Sequence, residues 1–212
     1  APVARIDAKG GRATGVTLES GEQIEASLVL SSVDPNLTFL KLLEPGSVDE
    51  PFLDEVRRYR YRGSSGKVNL ALDDLPELAC LPGRGEWLRG AISFSPSVDY
   101  MERAYDDAKY GRFSPRPYID CIIPTLVDPS MAPPGKHVMS CFVQYAPYHL
   151  ADGAVWDDAM RDAFGDAVIS TLEERFPDIR SKILHRQVLS PADVERITGL
   201  TEGNIFAGEL SL

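Results

Sequence analysis

The chain has 212 residues, with 22 Lys+Arg against 32 Asp+Glu and a formal net charge of −10. Its 43% hydrophobic and 25% charged residues exclude a disordered chain, and no apolar run reaches the ~18–20 residues of a spanning helix. The acidic balance argues against a nucleic-acid partner, and three separated cysteines, Cys80, Cys121 and Cys141, exclude a disulfide framework and read as free thiols of a reducing compartment.

Residues 3–32 read as three strands, with turns at Gly10-Gly11 and Ser20-Gly21. The third run, Ala26-Ser27-Leu28-Val29-Leu30-Ser31-Ser32, is almost continuously apolar, the pattern of a strand buried on both faces. Asp34-Pro35 then reads as an N-cap followed by proline at the first helical position. Leu37, Leu40 and Leu43 form that helix's stripe, which ends before Pro45-Gly46. A second helix is predicted near 51–60, its basic end Arg57-Arg58-Tyr59-Arg60-Tyr61-Arg62 being solvated.

Lys67–Leu72 alternates as a strand, Pro82–Gly85 marks a loop, and Arg89–Phe94 predicts another short strand. Ser95-Pro96 opens a helix to about Tyr110, closed by Gly111, with Val98, Met101, Tyr105 and Ala108 on its apolar face. Tyr118–Thr125 and His137–Ala146 predict two strands around a loop stiffened by Pro129, Pro133 and Pro134. Trp156, Met160, Phe164, Val168, Leu172 and Phe176 step by fours along a helix of roughly 153–176, halted at Pro177. Lys182–Leu189 is a further strand, and Ser190-Pro191-Ala192-Asp193 starts a short helix with capping-box spacing. The succession lacks a strict βαβ rhythm and predicts an α+β fold: a mixed β-sheet with helices 96–110 and 153–176 packed on one face.

The sequence holds no self-contained catalytic motif, for physical reasons. Gly63-Ser64-Ser65-Gly66-Lys67 has two residues between its glycines and Val68 in place of the hydroxyl, so it reads as a turn into a strand rather than a phosphate loop. Tyr105 and Lys109 have the spacing of a dehydrogenase pair, but no Gly-x-Gly-x-x-Gly turn exists to hold a dinucleotide. His137, His149 and His185 are isolated and lack zinc spacing.

Several segments together resemble the phytoene-desaturase-like branch of the FAD-dependent amine-oxidoreductase superfamily. They are Val3-Ala4-Arg5-Ile6, Gly11-Arg12-Ala13-Thr14-Gly15-Val16, Gly21 to Ala26, Leu28 to Pro35, and Asp128-Pro129-Ser130-Met131-Ala132-Pro133-Pro134-Gly135. Trp156, Pro177, Pro191, Asp193 and Glu195 fall in the family's order, and Tyr61 to Leu70 matches the wording of one subgroup. The resemblance implies that residues 1–35 are the last strands of a flavin domain, 36–205 a substrate domain, and 206–212 the start of a return to the flavin domain. The chain's ends look cut, and the family's two glycine-rich FAD-binding segments are absent.

By that resemblance, the full-length protein is an oxidoreductase that moves hydride from a substrate carbon to FAD, while these residues alone hold no FAD tightly and are inactive. The flavin carries such chemistry and the protein contributes binding, orientation and shielding. The resemblance implies a small apolar substrate, and leaves open peripheral membrane contact and homo-oligomerisation. It places Lys67 where many amine-oxidase relatives have a lysine that holds a water against the flavin N5; a plain surface lysine is the equal alternative. Val3 falls where a backbone commonly meets the adenine, or is simply a strand valine. Two other functions stay open: a flavin-dependent carotenoid-type isomerase without net redox change, and a non-enzymatic binding module. The expected location is bacterial cytoplasm, or the mitochondrial matrix in a eukaryote, and not the secreted space.

Overall fold

The computed structural model describes residues 1–210. Packing divides them into two compact units, one of residues 1–62 with the residues from 195 onward, the other of residues 63–194. Of the 206–212 stretch, Ser211 and Leu212 lie outside the described residues.

In the first unit β1 (Val3–Lys9), β2 (Arg12–Leu18) and β3 (Gln23–Glu25) form an antiparallel meander. Gly10 and Gly11 make its first turn with φ of 57° and 75°, a conformation glycine adopts without a Cβ penalty. The third strand is the first correction. It stops at Glu25, and Leu28 and Leu30 stand 70% and 88% exposed. A strand apolar on both faces needs neighbours on both; the Ala26 amide still donates to the Thr14 carbonyl at 2.9 Å, but beyond it no strand among the described residues pairs with this stretch.

Asp34 caps the next segment. One carboxylate oxygen accepts from the Leu37 amide at 2.9 Å and the other from the Thr201 amide at 2.8 Å. The helix that follows is a six-residue π-helical turn, Leu37–Leu42, rather than a longer α-helix. α1 (Glu50–Arg58) follows, burying Leu53 and Val56.

The second unit is built on a five-stranded sheet. β4 (Ser65–Leu72), β5 (Ile92–Phe94), α2 (Val98–Lys109), β6 (Tyr118–Ile122), β7 (His137–Gln144), α3 (Asp158–Glu173), α4 (Ile179–Lys182) and β8 (Ile183–Leu189) follow in chain order. The sheet order is β5-β6-β7-β4-β8, and each of these pairings is antiparallel. The α+β class is the one expected. α5 (Pro191–Thr198) opens on the predicted capping box: Ser190 Oγ accepts from the Asp193 amide at 3.2 Å, and Asp193 accepts from the Ser190 amide at 3.0 Å.

Strand alternation sends Val68, Leu70, Leu72, Ile119, Cys121, Met139, Cys141 and Val143 into one core. α3 supplies Phe164, Val168 and Leu172 to that core, and Trp156, Phe176 and Ile179 flank it. The fourfold step read from the sequence is therefore the buried stripe of α3. The helix starts later than expected, with the Asp157 side chain accepting from the Met160 amide at 2.8 Å.

The apolar face of α2 needs a second correction. Ser97, not Ser95, caps the helix; Ala104 is its buried residue, while Val98 is 84% exposed. Tyr100, Met101, Ala104, Asp107 and Ala108 are the less exposed positions, a face rotated by about one residue. Tyr100 fixes that rotation by donating its hydroxyl to the Pro117 carbonyl at 2.8 Å. No helix among the described residues is long and apolar enough to cross a membrane.

Candidate active site

Lys67 lies on β4, the central strand between β7 and β8. Its neighbours in sequence explain its orientation. Gly66 faces α3, where an added Cβ would come within 2.6 Å of the Phe164 ring, and Val68 is fully buried. The Lys67 side chain is exposed and projects from the opposite face to the core, since directly paired and alternate residues share a side.

The register then names its companions. Lys67 pairs with Phe142 of β7 and Leu189 of β8, Phe142 with Asp120 of β6, and Asp120 with Ser93 of β5. This row crosses the whole sheet. Ser93 Oγ donates to Asp120 Oδ1 at 2.7 Å, and Asn69 Nδ2 donates to Gln187 Oε1 at 3.0 Å on the same side. The Lys67 ammonium forms no ion pair or hydrogen bond among the described residues.

Other titratable groups are engaged structurally. Tyr105 and Lys109 do not form a catalytic pair: Lys109 bridges to Asp106 at 2.6 Å, and its ammonium lies 4.7 Å from the Tyr105 ring centroid. His137 Nδ1 lies 3.1 Å from Thr125 Oγ1, which accepts from the Val138 amide at 3.3 Å. Burial lowers the His137 pKa below its ordinary value, opposed by the nearby Asp74 carboxylate. Cys121 and Cys141 face each other across β6 and β7 as buried free thiols. Their mutual hydrogen bond and burial push the Cys141 thiol well up, which makes it inert. Among the described residues no cluster of His, Cys, Asp and Glu could hold a metal.

Val3 opens β1 opposite Leu18 and is 38% exposed. It belongs to the first unit and Lys67 to the second. The first unit also holds a cavity of about 500 Å³ lined by Ile6, Ala13, Val29, Val33, Phe39 and Leu43 among others. That lining is mostly apolar and offers no general acid or base.

The described residues do not fit the FAD diphosphate. Such a group is held at a helix N-terminus opened by a glycine turn. Here Ser97, Asp157 and Ser190 cap α2, α3 and α5 with their own side chains. Acids occupy the first turns, Glu50 in α1, Asp99 in α2, Asp158 in α3 and Asp193 in α5, and would repel a phosphate. No step through a flavin is therefore assigned to these residues.

Sequence reasoning reached Lys67 and missed Asp120, Phe142 and Ser93. Their alternate positions in Tyr118-Ile119-Asp120-Cys121-Ile122 and Cys141-Phe142-Val143 show which side chains avoid the core. Pairing register, which brings them into one row, is not written in either strand alone.

No family profile matches the chain. It is 37% identical over 208 residues to pyridine nucleotide-disulfide oxidoreductase domain-containing protein 2 of Mus musculus, covering 95% of this chain and 36% of that protein. It is 27% identical over 211 residues to a lycopene-forming phytoene desaturase of Paracoccus sp., covering 99% of this chain and 40% of the relative. The chain thus spans little more than a third of the length of the curated relatives it matches. The fold is that of part of a solved oxidoreductase from Methanosarcina mazei, with a TM-score of 0.55, 23% identity, and coverage of 89% of this chain and 36% of that one.

Proposed function

We propose that this chain, a homologue of the phytoene-desaturase-like oxidoreductases, is the substrate-facing segment of a longer FAD-dependent oxidoreductase. Residues 1–35 would belong with the flavin domain and 36–205 with the substrate domain. The flavin, held by other parts of that protein, supplies the hydride acceptor. The residues here bind, orient and shield the substrate.

The observation that carries this reading is the register of the five-stranded sheet. It sets Lys67, otherwise unengaged, on the face away from the core beside Phe142. In this reading Phe142 supports the apolar body of the substrate. Lys67, a donor of up to three hydrogen bonds, fixes a water or polar atom next to the reacting carbon. Val3 lies on the strand that approaches the adenine.

The test uses the full-length protein with Lys67→Met, which keeps the apolar stem and removes the donors. Flavin reduction by substrate is expected to slow by one to two tenfold steps, each ~1.4 kcal/mol of barrier, with the folded state unchanged by circular dichroism. An unchanged reduction rate returns Lys67 to an ordinary surface lysine.

A further inference from the structure

The sheet face that carries Lys67 is poorly suited to a pure hydrocarbon. This inference rests on the preceding reading, that the face receives the substrate, and refines the chemistry of what it receives. Most polar side chains there satisfy one another: Asn69 donates to Gln187, and Gln144 Nε2 donates to Ser65 Oγ at 3.4 Å. Two charges do not. The Lys67 ammonium has no partner among the described residues. Asp120 takes one hydrogen bond from Ser93 on Oδ1 and forms no ion pair among the described residues, whereas a carboxylate has about four acceptor sites.

Elsewhere in this unit several opposite charges meet, although Asp99, Arg103 and Arg175 also form no ion pair among the described residues. Arg161 bridges to Asp193 at 2.7 Å, Arg186 to Asp162 at 2.8 Å, and Lys136 reaches Asp73. Lys67 and Asp120 instead stand on either side of Phe142 in the same row, two strands apart, a backbone separation of about 10 Å. An apolar ligand laid across this row would strip water from both charges and return no hydrogen bond, which is unfavourable. A ligand with complementary ends would keep both charges satisfied.

We infer that the ligand of this face is a small dipolar molecule: an anionic group meets Lys67, a cationic or hydrogen-bond-donating group meets Asp120, and an apolar spacer lies over Phe142. Asp120, held by Ser93, is then a specificity residue. Because Lys67 and Asp120 lie on opposite sides of Phe142, they also fix the direction in which the ligand lies across the sheet.

The test titrates the full 212-residue chain at low salt with four probes of one length: 8-aminooctanoate, octanoate, octylamine and 1-octanol. Backbone amide NMR shifts report where each binds, and the same spectra report whether each variant is folded. The zwitterion is expected to shift amides of β4, β6 and β7 and to bind about tenfold more tightly than either singly charged probe. Lys67→Met should weaken the zwitterion and octanoate about tenfold and leave octylamine unchanged; Asp120→Asn should weaken the zwitterion and octylamine and leave octanoate unchanged. Equal binding of 1-octanol and 8-aminooctanoate on these strands would overturn the dipolar ligand while leaving the face itself as the substrate surface. Absence of all four probes from these strands would overturn the inference, and the flavin-reduction rate of Lys67→Met would still decide the functional reading independently.

Discussion

Gly66→Ala probes the contact that aims Lys67 away from the core. The new Cβ would lie 2.6 Å and 2.7 Å from two atoms of the Phe164 ring and 3.3 Å from the Leu189 carbonyl oxygen. Real Cβ atoms do not approach ring carbons so closely, and Phe164 is fully buried, so the ring or the strand must move. Overpacking of this kind costs about 1–3 kcal/mol. Alanine recovers about 0.4–1 kcal/mol by restricting the unfolded chain, which leaves a net loss of up to about 2.6 kcal/mol, centred near ~1.3 kcal/mol. For a chain of this size the central value lowers Tm by roughly 3–5 °C. The assay is thermal unfolding followed by circular dichroism, with Phe164→Leu as the second arm of a double-mutant cycle. Phe164→Leu alone should destabilise, but the double variant should lose less than the sum of the two by about 1 kcal/mol, because the smaller side chain vacates the space. Strictly additive losses, or a Gly66→Ala variant more stable than the parent, would refute the packing of α3 against β4 and with it the assigned direction of Lys67.

Further outcomes follow from other contacts. Asp193 is buried at 4% side-chain exposure, bridges to Arg161 at 27%, and closes the capping box with Ser190; Asp193→Ala should cost about 2–4 kcal/mol in urea unfolding, a buried-pair loss reduced by the partial exposure of the arginine. His137 has a folded pKa below its unfolded value of about 6.5. Its contribution is therefore fully present above that value and is lost as pH falls toward the folded pKa, so stability should decline below pH ~6.5, and His137→Gln should flatten that part of the profile. Leu28 and Leu30 are exposed beside an acidic chain of net charge −10; light scattering should show self-association that strengthens with salt and disappears in Leu28→Asp with Leu30→Asp, whereas a monodisperse parent at high salt would count against it. The 212-residue chain, purified and incubated with FAD, should retain no stoichiometric flavin absorbance, because the first turns of its helices hold acids where a diphosphate would sit.

Local signals determined much of this protein. The fourfold step from Trp156 to Phe176, the alternation in Lys67–Leu72 and the Ser190/Asp193 spacing each encode one element, because helix and strand periods sort side chains without reference to the rest of the chain. Family resemblance, spread over the whole length, carried the kinship and drew attention to Lys67. Tertiary structure decided the rest. Which face of α2 is buried depended on Tyr100 reaching the Pro117 carbonyl rather than on the apolar count of either face. The run Ala26–Ser32 has the composition of an interior strand, yet it forms none here, because a strand is completed by hydrogen bonds from neighbours and not by its own residues. The row Ser93–Asp120–Phe142–Lys67 joins four strands separated by long stretches of sequence. Their register is set only when Val68, Cys141 and Ile119 are buried together beneath α3, and a slip of one residue would send every one of those side chains to the other face.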